Sequence, residues 1–482
     1  MHRYQRIGLF LGPLLALLIL LGPQPETVPT IAWRTLAVAV LMATWWSTEA
    51  IPVPATSLLP VVLFPLLEIS TVAAATRPYA SPVIFLLLGG FMLALTLERW
   101  QLHRRLALMI LVRTGDKPDA IVFGFMLAAA LLSMWVSNSA TTLMMIPIAL
   151  SVIGRIVEGR EQKGEFAVLL LLSLAYAASI GGLGTIVGTP PNALAVGYLA
   201  EHYDIQIRFV EWMMVGVPVV LVMIPLSWWV MTRLAYPVHL PRNPAAAQEL
   251  AEELAELGPL SVPERRTATV FAIVAGAWML QPLISRLPGL EPLNDTTIAI
   301  AGALAMFLVP SGRTVDGRRT GGALLDWEST QKLPWGVMLL FGSGMSLAEQ
   351  VSASGLALWL GELLAALTAW PMIALLAAVV ALVVFLTELT SNTGLTATIL
   401  PVLGVIAVVG GVDPAMLAVP AALAASCAFM LPVATAPNAI VFGSTFITIP
   451  HMVQAGFRLN LVAIFAVTLL GYALVPIVLG GG

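Results

Sequence analysis

Two short polar segments, each inside a long apolar stretch, contain the residues best suited to bind an ion. In each segment two hydroxyl residues stand four positions apart, on one face of a helix, and an asparagine follows directly. Small, hard cations prefer such neutral oxygen ligands. The sequence therefore predicts two equivalent cation sites, with the candidate side-chain ligands Ser133, Ser137 and Asn138 in the first segment and Thr387, Ser391 and Asn392 in the second.

Downstream of each polar segment, a Pro-Asn motif should interrupt an apolar helix. The motif reads Gly-Thr-Pro-Pro-Asn at 188–192 and Ala-Thr-Ala-Pro-Asn at 434–438. Proline removes a backbone donor and clashes with the preceding turn, so each motif should break its helix within the membrane. The carbonyl end of a broken helix attracts cations and the amide end attracts anions. We expect carbonyls near Gly188 and Ala434 to complete the two cation sites.

The same four interruptions should bind an anion between them. They offer hydroxyl groups, asparagine amides and free helix N-termini, and no lysine or arginine lies deep in a predicted span. Because an unpaired charge in a low-dielectric interior is costly, bound cations must neutralise much of the anion, and cation coupling follows. The candidate anion ligands are Asn138, Ser139, Thr189, Asn392, Thr393 and Thr435.

The composition is that of an integral membrane protein. Of 482 residues, 59% are hydrophobic and 10% are charged, whereas globular chains carry about a quarter charged residues. The formal net charge of −3 and the lack of a basic stripe exclude nucleic-acid binding. The single cysteine, Cys427, lies in an apolar run, so we expect it to pack inertly. No cofactor is expected beyond the coupling cations.

Apolar blocks predict an all-α fold of about eleven transmembrane helices and two re-entrant hairpins, at 119–156 and 371–410, each with a polar segment at its centre. With the N-terminus inside and both hairpins returning to the side that they entered, nearly all of the 23 basic residues lie on the cytoplasmic side, as lysine and arginine usually do. A full double span at the first block would preserve this sidedness. The predicted spans are 7–22, 31–47, 52–67, 82–97, 166–200, 209–235, 267–287, 295–310, 334–350, 414–447 and 457–480.

Two further segments should lie at the cytoplasmic surface. Residues 98–106 mix basic residues with a tryptophan, a pattern typical of an interfacial amphipathic helix. The connector at 238–266 should be solvated and contain one short helix.

The polar segments belong to an internal repeat with a constant spacing of 254 residues, which also pairs Pro147 with Pro401 and Gly90 with Gly344. An odd number of spans between equivalent points inverts the two halves in the membrane, as in many secondary transporters that hold substrate near the midplane with discontinuous helices. The alternative is that the duplicated polar residues only pack helices together.

These residues resemble the divalent anion/sodium symporter family, which includes sodium-coupled di- and tricarboxylate and sulfate carriers. The resemblance rests on residues 83–108, the paired Ser-Asn tips, the Gly-Thr-Pro-Pro-Asn break and residues 431–444. It implies that the two cation sites bind sodium, with Gly188 in the first and Ala434 in the second, and that the six candidate anion ligands contact carboxylates.

The resemblance also implies a homodimer in the cell inner membrane, in which a transport domain slides against a fixed scaffold as an elevator. The scaffold would comprise 1–118 and 267–370, the transport domain 119–235 and 371–482, and a cytoplasmic linker 236–266. The expected function is sodium-coupled symport of C4 dicarboxylates such as succinate, malate and fumarate. Sodium-independent dicarboxylate exchange and sulfate or tricarboxylate transport stay open.

Three positions depart from the pattern of the family or of the repeat. Ser139 stands where the family usually has threonine, and Ala436 stands where the first break has Pro190, so substrate choice is open. Glu388, the one acid beside a tip, has Met134 as its repeat partner; it either holds the structure by hydrogen bonds or senses protons or binds an ion.

Two other functional classes are disfavoured. An intramembrane enzyme needs a nucleophile with a base or a set of metal ligands, and all five histidines fall at span ends or in loops. An ion channel usually shows rings of charge or a symmetric filter, whereas paired broken helices favour alternating access.

Overall fold

A computed structural model describes residues 3–156, 163–237, 240–315, 318–319, 321–364 and 370–480. The described chain is mainly helical, in agreement with the predicted all-α class. In the first half, the helices are α1 Arg3–Leu21, α2 Thr30–Thr48, α3 Val53–Thr56, α4 Leu59–Leu66, α5 Val72–Thr76, α6 Pro82–Arg99, α7 Leu102–Leu111, α8 Pro118–Ser133, α9 Asn138–Ile156, α10 Lys163–Gly181, α11 Pro190–Tyr203, α12 Phe209–Trp229 and α13 Pro244–Glu256.

The second half contains nine more described helices and one small ribbon. The helices are α14 Val262–Ile284, α15 Asp295–Leu308, α16 Trp335–Ala353, α17 Leu356–Leu364, α18 Met372–Leu386, α19 Asn392–Val409, α20 Ala415–Ala425, α21 Ala436–Phe442 and α22 Ile449–Leu479. Strands β1 Thr314–Val315 and β2 Arg318–Arg319 pair antiparallel, with Thr314 opposite Arg319. Short 3₁₀ helices are Arg77–Ala80, Gly182–Gly184 and Glu328–Lys332, and Val230–Ala235 is a π-helical turn.

The chain is a multi-pass membrane protein. Within the described residues, seven helical segments are long and apolar enough to cross a membrane, and several shorter apolar helices accompany them. The number of eleven spans stays a prediction. The seven segments are Val72–Arg99, Asn138–Ile156, Gly164–Gly184, Phe209–Ala235, Val262–Ile284, Asn392–Val409 and Ile449–Leu479.

The internal repeat is visible in the order and bounds of the helices. Helices α6 to α9 recur as α16 to α19 at the spacing of 254 residues that the sequence shows, and each hairpin consists of two helices joined at its polar segment. Broken helix α10–α11 recurs as α20–α21, and α12 recurs as the longer α22. The duplication is therefore structural as well as sequential.

The two broken helices lie at the centre of the molecule. Every residue of α20 is buried, and so is the whole apolar window of α10. Backbone polar groups that these helices free where they unwind need partners, which protein groups, bound ions or water in an adjoining cavity can supply. This placement sets the chemistry of the site.

Two sequence predictions need correction. The block at 52–67 is not one continuous span, because α3 ends at Thr56 and α4 begins at Leu59; Pro60, which has no amide hydrogen, sits in the first turn of α4. The connector predicted to end at 266 ends earlier, because α14 begins at Val262. Its residues 238–239 lie outside the described part of the chain.

Helix α13 of the connector is docked rather than merely solvated. Glu249 accepts hydrogen bonds from the Ser151 hydroxyl at 2.7 Å and from Arg155 Nε at 2.8 Å, both on α9. These two donors lower the pKa of the Glu249 carboxyl. Buried Ala246 and Leu250 complete the contact, so the connector is fixed to the first hairpin.

A buried ion pair joins α7 to the start of α14. Arg105 Nε lies 2.8 Å from Glu264 Oε1, and the same guanidinium donates to the carbonyls of Leu257 and Gly258. Both charged residues are 8% exposed. Glu264 also accepts from the Ser261 amide and thereby caps α14.

We expect Arg105→Met to lower the stability of the purified protein by about 3–5 kcal/mol, because it leaves Glu264 buried without its partner. The matched control is Arg104→Met, whose more exposed pair with Glu253 at 3.5 Å should contribute less than about 1 kcal/mol. Thermal unfolding in detergent measures both. Equal melting temperatures for the two variants would contradict a structural role for the Arg105 pair.

Candidate functional site

Each hairpin tip is built by a serine that caps the second hairpin helix. Ser137 Oγ accepts from the Ala140 amide at 3.2 Å, and Ser391 Oγ accepts from the Gly394 amide at 3.5 Å. Both serines satisfy an amide that the first turn of a helix leaves free. Helices α9 and α19 therefore begin at the predicted asparagines, with their N-terminal ends at the tips.

The first predicted cation set contains buried oxygens that need a partner. Ser133 Oγ and Asn138 Oδ1 are buried and accept no hydrogen bond from any described residue. A Cβ added at Gly182 would lie 2.9 Å from Asn138 Oδ1 and 3.0 Å from the Gly188 carbonyl oxygen, so these two oxygens converge where Gly182 has no side chain. Leaving a buried acceptor unsatisfied costs about 1–3 kcal/mol. A bound cation would remove that cost, so the set fits one.

The second predicted set also has more oxygen acceptors than donors, although its oxygens contact one another. Thr387 Oγ1 lies 2.6 Å from Asn392 Oδ1 and 2.8 Å from the Ala425 carbonyl oxygen. The hydroxyl has one hydrogen and can serve only one of these acceptors well. Three oxygens thus meet around a single proton, an arrangement that a small cation would stabilise. Predicted members Ser391 and Ala434 lie at the adjoining cavity.

Sequence reasoning missed the asparagines that end the two breaks. Asn192 Nδ2 donates to the carbonyls of Gly182 and Thr185, at 2.9 and 2.8 Å. Asn438 Nδ2 donates in the same way to Ala428 and Leu431, at 3.1 and 3.0 Å. Each asparagine therefore braces the unwound chain that precedes its helix. The signal in the sequence is the recurrence of this asparagine in both motifs.

One cavity of about 360 Å³ lies between the tips and the breaks. Among its described lining residues there is no lysine or arginine, and Glu49 is the one ionisable group. Ser133 and Thr387 are fully buried and do not line it. All six predicted anion ligands do: Asn138, Ser139, Thr189, Asn392, Thr393 and Thr435.

The cavity wall includes a contact between the repeats that the sequence did not reveal. The Thr189 hydroxyl, at the first break, lies 3.2 Å from the hydroxyl of Ser426, where α20 unwinds. The N-terminal ends of α9, α11 and α19 also reach the cavity, since Asn138, Pro190 and Asn392 line it. Helix N-termini carry partial positive charge. The described wall therefore offers hydrogen-bond donors but no side chain with a full positive charge.

The chain is similar to known transporters in sequence and in fold. The family model "Sodium:sulfate symporter transmembrane region" matches residues 5–479. The sodium-dependent dicarboxylate transporter SdcS of Staphylococcus aureus, strains USA300 and MRSA252, is 42% identical over 99% of this chain and 92% of the relative. The YdaH transporter of Alcanivorax borkumensis has a similar fold, with a TM-score of 0.59 at 17% identity over 92% of this chain and 98% of that chain.

The family match covers nearly the whole chain, and the SdcS relatives align over almost their full length. The resemblance to the divalent anion/sodium symporters is confirmed. This chain belongs to the sodium:sulfate symporter family.

Proposed function

We propose that the protein is a sodium-coupled secondary transporter of C4 dicarboxylates such as succinate, malate and fumarate. The observation that carries the proposal is the cavity in which candidate anion ligands from both repeats meet, beside two sets of oxygens suited to a cation. The printed name of the SdcS relatives, sodium-dependent dicarboxylate transporter, supports the same cation and substrate class.

Sodium coupling follows from the charge of the substrate. A dicarboxylate brings two negative charges into a cavity whose described wall has donors but no basic side chain. Uncompensated charge at such a site costs several kcal/mol. Two sodium ions, one at Ser133, Ser137, Asn138 and Gly188 and the other at Thr387, Ser391, Asn392 and Ala434, would supply the missing positive charge. The dicarboxylate would then be held by the six cavity ligands.

A C4 dicarboxylate is favoured over two other substrate classes, sulfate and tricarboxylates. A dicarboxylate has two carboxylate groups for the ligands of the two tips, whereas sulfate has a single anionic centre. A tricarboxylate adds a third charge that two sodium ions do not balance. Exchange of one dicarboxylate for another without sodium leaves the two oxygen sets without a role. We therefore place symport first and keep these three modes as outcomes of the test.

Alternating access would move the two hairpins and the broken helices against a scaffold, as an elevator in a homodimer of the cell inner membrane. With the N-terminus cytoplasmic, Glu49 and Pro334 mark cytoplasmic ends of α2 and α16, and both residues line the cavity. The cavity therefore borders the cytoplasmic side of the proposed scaffold. This geometry supports an inward-facing state.

Uptake of labelled succinate into proteoliposomes should require an inward sodium gradient, and Asn138→Ala or Asn392→Ala should reduce it at least about 100-fold, because each asparagine serves both the cation and the anion. Thr390→Ala is the matched control. Its hydroxyl donates to the Leu386 carbonyl beside the second tip and does not line the cavity, so uptake should change less than about twofold.

Three results of that assay would contradict the proposal. Equal uptake without sodium would exclude sodium coupling, and uptake only into vesicles preloaded with dicarboxylate would establish exchange. Stronger competition by sulfate or citrate than by malate would assign a different substrate.

Gly182→Ala should raise the sodium concentration needed for half-maximal uptake by about tenfold or more, because the added methyl group displaces Asn138 Oδ1 and the Gly188 carbonyl. Gly184→Ala, in the same 3₁₀ turn, is the control. Its methyl group meets the flexible end of Met134, at 2.8 Å from Cε, so the midpoint should change less than about threefold. Equal shifts in both variants would argue against a cation site at Gly188.

A further inference from the structure

The two halves of the site differ most at one pair of equivalent positions. Ser133, Ser137 and Asn138 have close counterparts in the second tip, but Met134 is replaced there by Glu388. Glu388 is 3% exposed and forms no ion pair with any described residue. The proposed symport mechanism does not use this carboxylate, so its burial needs a reason.

The Glu388 carboxylate accepts hydrogen bonds from three consecutive backbone amides just after α20. Oε1 lies 2.7 Å from the Phe429 nitrogen and 2.9 Å from the Met430 nitrogen, and Oε2 lies 3.0 and 3.1 Å from those of Met430 and Leu431. Asn460 Nδ2, on α22, donates to Oε1 at 2.8 Å. Every one of these partners is an N–H donor, so both carboxylate oxygens act as acceptors, and these hydrogen bonds favour the charged form.

The carboxylate takes over hydrogen bonds that the first repeat makes within its backbone. In the first repeat, Gly182–Gly184 forms a 3₁₀ helix, whereas the equivalent residues 428–430 form no helix. Helix α22 packs closely against this stretch, since a Cβ at Gly456 would lie 2.3 Å from the Phe429 carbonyl oxygen. Glu388 therefore stabilises an unwound stretch whose amides have no hydrogen-bond partners in a helix.

The stretch that Glu388 holds, residues 429–431, lies beside the second cation set. The carbonyls of Ala428 and Leu431 receive the bracing asparagine Asn438, and Thr387, directly before Glu388, contributes its hydroxyl to the set. The first set has neutral Met134 at the corresponding position. A full negative charge thus lies behind the second set and not behind the first.

We infer that Glu388 is a positioning residue that makes the two cation sites unequal: it holds the second break unwound and adds a negative field there, so the second site binds sodium more tightly than the first. The inference rests on the proposed sodium coupling. Charge interactions in a low-dielectric interior are strong enough to separate two otherwise similar sites by about tenfold or more in affinity. Sodium would then bind in order, at the second site before the first.

The test measures the rise in melting temperature of the detergent-purified protein with sodium in the absence of substrate, since a ligand that binds the folded state stabilises it. Two sites of unequal affinity should give two midpoints, that is, two sodium concentrations at which half of a stabilising shift is reached; the lower midpoint belongs to the tighter, second site. Glu388→Gln retains the size and removes the charge, so we expect it to raise the lower midpoint about tenfold. Glu388→Asp retains the charge with a shorter reach, so it should lower the melting temperature but keep that midpoint within about threefold.

A purely structural role predicts the opposite pattern: Glu388→Gln would lower the melting temperature at every sodium concentration and leave the midpoint unchanged, which would overturn the inference.

Should Glu388→Gln fail to fold, the variants Thr387→Ala and Ser133→Ala test the order of binding instead. Thr387→Ala should shift the lower midpoint and Ser133→Ala only the higher one, and the reverse assignment would overturn the order of binding. If the unmodified protein shows no sodium-dependent shift, the proposed sodium coupling itself has failed.

Discussion

The structure depends on one constraint: an anion must be held in the middle of an apolar molecule without a basic side chain in the described cavity wall. Helix N-termini, hydroxyls and asparagine amides supply partial charges, which cannot balance two carboxylates. Two buried oxygens of the first set, Ser133 Oγ and Asn138 Oδ1, have no hydrogen-bond partner among the described residues. Cations bound there would neutralise the substrate, and the substrate would in turn favour cation binding. Coupling of the two is then a consequence of electrostatics.

Broken helices are the means by which an all-α membrane protein can expose such groups. Unwinding frees carbonyls and amides at membrane depth, and each freed group needs a partner within the protein. Asn192 and Asn438 satisfy carbonyls at the two breaks, and Glu388 satisfies amides at one of them. The repeat thus supplies two similar frames, and one difference between them, Met134 in the first and Glu388 in the second, would give them different electrostatics.

Much of this site could be predicted from the sequence because its residues recur at fixed spacing in a chain that is otherwise apolar. The cavity brings together all six predicted anion ligands, although their roles stay a prediction. The bracing by Asn192 could not be predicted, since its bonds depend on the path of an unwound chain. Neither could the contact of Thr189 with Ser426, which joins two repeats. The interruption between α3 and α4 was missed because an apolar block of that length has the same composition whether it forms one helix or two.

The most direct test of the central claim is calorimetric titration of succinate into the purified protein, in sodium and in an equal concentration of choline. If sodium ions provide the positive charge for the diacid, binding should be measurable in sodium and at least about 100-fold weaker in choline. Equal affinity in the two buffers would show that the protein neutralises the substrate by itself and would contradict the account.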